Sequence, residues 1–183
     1  MTKIINLFGG PGSGKSTTAS GLFHYFKTKT NISTELVTEY AKDIVYEGTD
    51  RLLGNQLHVF SEQFRRQWRL IDKVEFVITD SPILLSSVYF ELYFNKREQA
   101  IFSPEYKNKS IEFFDCTFKE FENINFFINR SKKFDPKGRV QNEEESRALD
   151  DIIKNKLIEN NISFKVINYE NSVDEILKEL INI

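Results

Sequence analysis

Short, continuously apolar runs alternate along the chain with longer amphipathic stretches. The runs Lys3–Phe8, Thr34–Thr38, Glu75–Thr79, Ile124–Asn129 and Ser163–Asn168 predict strands, because they are too short for surface helices and too apolar for solvated loops. Between them the spacing becomes helical. Ala19, Leu22, Phe23 and Phe26 share one face after the first run. Leu53, Leu57, Phe60, Phe64, Trp68 and Ile71 predict one long helix over Asp50–Ile71 with a buried apolar stripe, and Gln56, Gln63 and Gln67 align in a second stripe bordering it. A helix opening at Asn142 carries Glu143, Glu144 and Glu145 where the positive end of the helix dipole favours acids, and its expected buried stripe is Leu149, Ile152, Ile153 and Leu157. Ser172 and Glu175 read as the capping box of a last helix that buries Val173, Ile176, Leu177 and Leu180. Strand and helix alternating over 183 residues predict a single α/β domain on a five-stranded parallel sheet covered on both faces. Ligands of such sheets bind beyond the carboxyl ends of the strands.

Composition narrows this picture. A net charge of −2 gives no global attraction to nucleic acid and leaves room only for a local basic groove. Seventeen Phe and seven Tyr predict a bulky core or an aromatic-lined pocket. A single cysteine, Cys116, excludes an internal disulfide and fits a reducing compartment; within Phe-Phe-Asp-Cys-Thr-Phe it is expected to be a packed structural thiol. With only His24 and His58 there is no material for a Cys/His zinc site. The first run is a strand rather than a cleaved signal, and no apolar run approaches membrane-spanning length, so the expected location is the cytoplasm with no membrane partner.

Residues Gly9, Gly10, Pro11, Gly12, Ser13, Gly14, Lys15 and Ser16 carry the most specific signal: Gly, four residues, then Gly-Lys-Ser, between a strand and a helix. Glycines let backbone N–H groups turn inward around an anion, since no Cβ blocks close approach or positive φ. Lys15 is placed to reach the β- and γ-phosphates of ATP, the Ser16 hydroxyl to ligate Mg²⁺, and Thr17 to complete the cradle.

Other polar residues fall at strand ends. Asp80 closes the third run, where its carboxylate can hold Mg²⁺, accept the acceptor's proton, or simply make a turn before Pro82. Glu39 closes the second run and can bind an acceptor hydroxyl, act as a base, or cap the following helix. On the long helix, Gln63 can read the edge of a flat ring or be an ordinary helix former, and Arg66 can meet a phosphate or carboxylate or be an ordinary surface arginine. After the fourth run, Arg130 to Arg139 holds five basic residues in ten, interrupted by Asp135, Pro136 and Gly138. That composition suits a mobile lid bringing Arg130 and Arg139 to a transferring phosphoryl group, with Arg147 as a weaker third, or else a solvated charge run. The aromatic stretch between Ile83 and Phe121 predicts inserted helices on the acceptor side. An assembly ATPase would want an Asp-Glu pair where Asp80-Ser81 stands.

The loop, Glu39-Tyr40-Ala41-Lys42, Asp80-Ser81-Pro82 and the run from Arg130 to Arg139 together resemble the small P-loop kinases of the nucleoside and nucleotide kinase group. The closest pattern is that of the nicotinamide-riboside-kinase-like "AAA domain" proteins common in bacteria and their phages. The resemblance covers essentially the whole chain and implies a three-layer P-loop NTPase sandwich over residues 1–183, a helical insertion at about 83–122 and a mobile lid at about 130–142. It implies ATP and Mg²⁺ as cofactors, with Lys15 and Ser16 on phosphates and metal, Asp80 on metal or base chemistry, and Glu39 facing a nucleoside- or nucleotide-like acceptor. It places residues 168–171 near the adenine. Some phage members resemble kinases of hydroxymethylated pyrimidines within DNA, which keeps a polymer acceptor open. The chain departs from deoxynucleoside kinases in carrying Ser81, where they usually have Arg after the catalytic acid.

Overall fold

The computed structural model describes residues 1–94, 101–131 and 142–180. Its centre is β1 (Lys3–Phe8), flanked by β3 (Phe76–Thr79) and β4 (Glu122–Asn129), with β2 (Thr34–Val37) outside β3 and β5 (Lys165–Asn168) outside β4. All four pairings are parallel, and Ile5 lies opposite both Ile78 and Ile124. Alternation along β1 divides the core in two. Ile5 and Leu7 point into a cluster with Leu22, Phe26 and Ile176, contributed by α1 (Lys15–Lys29) and α7 (Ser172–Leu180). Phe8 points the other way, into a cluster with Phe60, Phe90, Phe114, Phe118 and Ile153. That second layer comes from α3 (Gln56–Trp68), α4 (Leu85–Tyr93), α5 (Pro104–Lys119) and α6 (Glu143–Glu159). The aromatic content therefore sits mainly in one layer, where rings meet edge to face, as Phe8 and Phe118 do at 6.1 Å between centroids.

All five expected strands form, with ends shifted by a residue or two. The long helix does not form as one piece. A 3₁₀ turn over Asp50–Gly54 ends at Asn55, whose side chain accepts the His58 N–H at 3.2 Å and starts α3 at Gln56. Gly54 in a helix interior would cost about 1 kcal/mol, so the break falls where propensity is weakest. The helix is also rotated from the expected phase: Gln56, Gln63 and Gln67 are buried, whereas Leu57 and Trp68 are 37% and 58% exposed.

Three other expectations are corrected. Ile152 is half-exposed, while Ser146 and Lys156 join Leu149, Ile153 and Leu157 inside; Lys156 is admitted because Asp115 pairs with it at 2.9 Å. Cys116 stands in solvent, since the buried Phe114 and Phe118 lie two residues to either side and so on the opposite face of α5. Ser172 caps nothing: its backbone is already helical (φ −56°, ψ −40°), and its hydroxyl meets that of Thr18 at 2.7 Å. The helix expected to open at Asn142 does so, and it carries a capping box that was not expected, with Asn142 and Glu145 each bonding the other's backbone N–H. Arg139 and most of the expected lid lie outside the described residues. No helix among the described residues is long and apolar enough to cross a membrane.

Candidate active site

Beyond the carboxyl end of β1, the chain turns through Gly9 (φ 139°), Gly12 (φ 79°) and Gly14 (φ 104°), angles that a side chain would oppose. Gly14 caps α1 without a side-chain bond, and the Thr18 N–H bonds the Gly14 carbonyl at 3.0 Å. Helix geometry therefore leaves the amides of Lys15, Ser16 and Thr17 open toward the cleft, an anion site in itself. The buried Lys15 folds back over the loop, and its Nζ donates to the carbonyls of Gly9 at 2.7 Å and Gly10 at 3.0 Å. Burial holds this ammonium below the ordinary lysine range, while Glu39, Asp80 and Asp150 pull it back up and Arg130 adds to the lowering. Three carboxylates thus act on the charge of one cation.

Asp80, at the end of β3, is 4% exposed, and its Oδ1 finds no partner among the described residues. A buried, unpaired carboxylate oxygen is costly unless a ligand completes it. Ser16, exposed at the first turn of α1, supplies a second hard oxygen. Both are oxygen donors of the kind Mg²⁺ takes when phosphates supply the remainder, so the residues present fit that ion.

Arg130 is not on a solvent-facing lid. Its side chain is 3% exposed and pairs with Asp150 at 3.0 Å through Nε. Nη1 donates to the Pro11 carbonyl at 2.9 Å and Nη2 to that of Ser146 at 3.2 Å. The other oxygen of Asp150 accepts the Gly10 N–H at 2.5 Å. Sequence reading missed Asp150. Its signal was there: with Ser146, Leu149 and Ile153 it falls on the inward stripe of α6, an unusual place for an acid. Gly10 must be a glycine, because a Cβ would strike the Ser146 carbonyl. Gly14 lies under the ring of Tyr169, which leaves no room for a Cβ either. Tyr169 also lines an open cleft of about 220 Å³ with Thr17, Glu170, Asn171 and Asp174, beside the first turn of α1.

On the opposite side, Glu39 precedes α2 (Tyr40–Tyr46). Gln63 does not offer its amide to a ligand: its Oε1 accepts the Tyr40 N–H at 2.9 Å and its Nε2 donates to the Thr38 carbonyl at 3.4 Å. It brackets Glu39 from both sides. Arg66 donates to Asp43 at 2.7 Å and Glu62 at 3.1 Å and lies over the Tyr40 ring at 4.8 Å, so it holds α2 to α3. The Arg65 hydrogen bonds, with help from Arg66, hold the Glu62 carboxyl at about 2 despite some burial. Tyr89 is the aromatic whose phenol responds to the carboxylate charges. Burial first, then Glu39, Tyr93 and Asp150, push its phenol well above the ordinary range and keep it protonated. Its ring stacks on Tyr93 at 5.9 Å. Nothing in the sequence distinguished Tyr89 from its aromatic neighbours.

No curated protein sequence matches the chain. Among solved structures, deoxyadenosine kinase from M. mycoides with the products dCMP and a flexible dCDP is 16% identical, with a TM-score of 0.65 over 98% of this chain and 100% of that one. The same enzyme with dATP is 17% identical, with a TM-score of 0.60 over 97% and 98% of the two chains. NadR in complex with NAD and AMP-PNP is 15% identical, with a TM-score of 0.57 over 97% of this chain and 49% of that one. At such identities the likeness concerns the fold, an α/β P-loop kinase fold. The sequence profile of the AAA domain family matches residues 4–175, and the chain belongs to that family.

Proposed function

We propose that this protein is an ATP-dependent kinase that transfers the γ-phosphoryl group to a hydroxyl or phosphate oxygen of a nucleoside- or nucleotide-like acceptor. The observation that carries this reading is the convergence on Lys15, which lies over the phosphate loop while Glu39 and Asp80, from the ends of neighbouring strands, act on its charge. A hydrolase would want an acid pair that polarises water, where this chain has Asp80-Ser81; carboxylates at two strand ends beside the loop suit a second substrate instead. The likeness to nucleoside kinase structures supports an acceptor of that class.

In this reading the loop amides and Lys15 hold the β- and γ-phosphates, and the cleft beside Tyr169 takes the adenosine. Ser16 and Asp80 would hold Mg²⁺, whose chemistry is to neutralise charge on the phosphate oxygens. With a hydroxyl acceptor, its oxygen bonds to the γ-phosphorus as the bond to the β–γ bridging oxygen breaks. ADP leaves with that electron pair, and Glu39 takes the hydroxyl proton. Tyr89, kept protonated by burial and by the Glu39 charge, donates a hydrogen bond to the acceptor. Arg139 is the proposed source of positive charge on the transferring group, and Arg139→Ala should lower kcat by about tenfold or more with a smaller change in KM for ATP.

The test is transfer from γ-labelled ATP to a panel of nucleosides, nucleoside monophosphates, nicotinamide riboside, and plain or hydroxymethylated DNA. Label on a monomeric acceptor is the expected result. Label on DNA alone would replace the acceptor class, and free phosphate indifferent to every acceptor would replace the kinase with an ATPase.

A further inference from the structure

We infer that Asp150 and Arg130 form a neutral clamp that positions the phosphate loop for the terminal phosphate of a nucleoside triphosphate without touching it; the inference rests on the kinase reading only for the identity of the ligand. The two residues come from different elements, Arg130 just after β4 and Asp150 from α6, and between them they grip two adjacent residues of the loop. Asp150 accepts the Gly10 N–H at 2.5 Å, and Arg130 donates a hydrogen bond to the Pro11 carbonyl at 2.9 Å. They are bonded to each other at 3.0 Å, and Arg130 is also anchored to the Ser146 carbonyl at 3.2 Å. Neither side chain is open to competing water, at 3% and 13% exposure.

Three physical points give this arrangement a purpose beyond joining α6 to the sheet. A glycine has no side chain by which packing can fix it, and ordering one costs more entropy than ordering other residues. The clamp supplies that fixing from outside at Gly10. The carbonyls of Gly9 and Gly10 are the acceptors that hold the Lys15 ammonium, so residues fixed by the clamp set where that ammonium stands. Finally, a lone carboxylate at Gly10 would oppose an incoming polyphosphate, and the Arg130 guanidinium cancels it. The Gly10 amide is engaged by Asp150, and the amides of Lys15, Ser16 and Thr17 remain for the anion.

A merely structural ion pair would weaken the protein as a whole and affect all nucleotides alike. A positioning pair acts through Lys15 and so discriminates between nucleotides that do and do not carry the third phosphate. The test is the charge-neutral double variant Arg130→Met/Asp150→Leu, which removes the clamp without changing the net charge near the ligand. ATP and ADP affinities are measured by calorimetry, with melting temperature alongside. The expected result is ATP binding weakened by about tenfold or more, with ADP weakened less than about threefold. Arg130→Lys keeps the charge pair but not the fork to Pro11 and Ser146, and should fall between wild type and the double variant even if the latter folds poorly. Equal losses for ATP and ADP that track the melting temperature would overturn the proposal. Amide exchange over the loop, measured without nucleotide, separates the clamp from the kinase reading. Faster exchange in the variant supports the clamp, and unchanged exchange overturns it. If the wild-type chain bound no nucleotide, the kinase reading would fall, and this exchange measurement would still decide the clamp.

Discussion

The phosphate end of the cleft and its proposed acceptor end are built from different materials. At the phosphate end the contacts are backbone: loop amides, loop carbonyls under Lys15, and three glycines at positive φ. At the proposed acceptor end they are side chains from separate elements: Gln63 of α3 brackets Glu39, and the Glu39 charge acts on the phenol of Tyr89 in α4. A backbone site is fixed by a contiguous stretch of chain, whereas a side-chain site depends on how each helix is rotated against its neighbours. The first can be recognised wherever it occurs. The second can be retuned for a new acceptor by one substitution.

That contrast can be broken at either end. The largest effect is expected from Lys15→Ala, which should reduce transfer by about 10³-fold or more while the melting temperature stays within about 4 °C, checked by label transfer and thermal unfolding. Retained transfer would remove the phosphate-end argument. Asp80→Asn should lower kcat by about 10²-fold and leave ATP affinity within about threefold of wild type, because its proposed work is on charge that builds during transfer. At the acceptor end, Gln63→Ala should raise KM for the acceptor by about tenfold and leave KM for ATP unchanged, since it frees Thr38 and Tyr40 on either side of Glu39. A Gln63 variant that altered both constants together would mean the two ends are one site after all.

The smallest effect concerns acid stability. Glu62 is held at about 2, below its ordinary 4.5, by Arg65 and Arg66. A carboxyl lowered on folding contributes stability above its unfolded pKa and loses it as the pH falls through the folded value. Melting temperature should therefore drop between about pH 4.5 and 2, and Glu62→Gln should flatten that slope. High salt should shrink the difference, since the pair is partly exposed.

The phosphate loop was legible because its chemistry lies in eight consecutive residues, and the sheet because buried parallel strands read as unbroken apolar runs. Helix phase was not. An amphipathic pattern assigns glutamine to the outside, yet Gln63 is buried because the Thr38 and Tyr40 backbone groups satisfy both ends of its amide, and Gln56 is buried with its Nε2 on the Leu53 carbonyl. The charge that marks Arg130 as a lid candidate is the same charge that buries it, through Asp150. A partner more than a hundred residues away in the chain, as Asp150 is from Gly10, leaves no local spacing to find. The placement of Asp80 and Glu39 at strand ends could be read in advance because parallel topology alone sends those positions to one edge.

The exposed thiol of Cys116 has a practical consequence. It is the chain's single cysteine and stands on the solvent side of α5. A maleimide dye or spin label will therefore attach at one site per molecule with no substitution needed, and can report on nucleotide binding from outside the cleft. The same exposure lets two molecules join by air oxidation into a covalent pair that reductant reverses. The apparent mass of this protein in solution will accordingly depend on the reductant in its buffer, and assembly states should be compared with the thiol blocked.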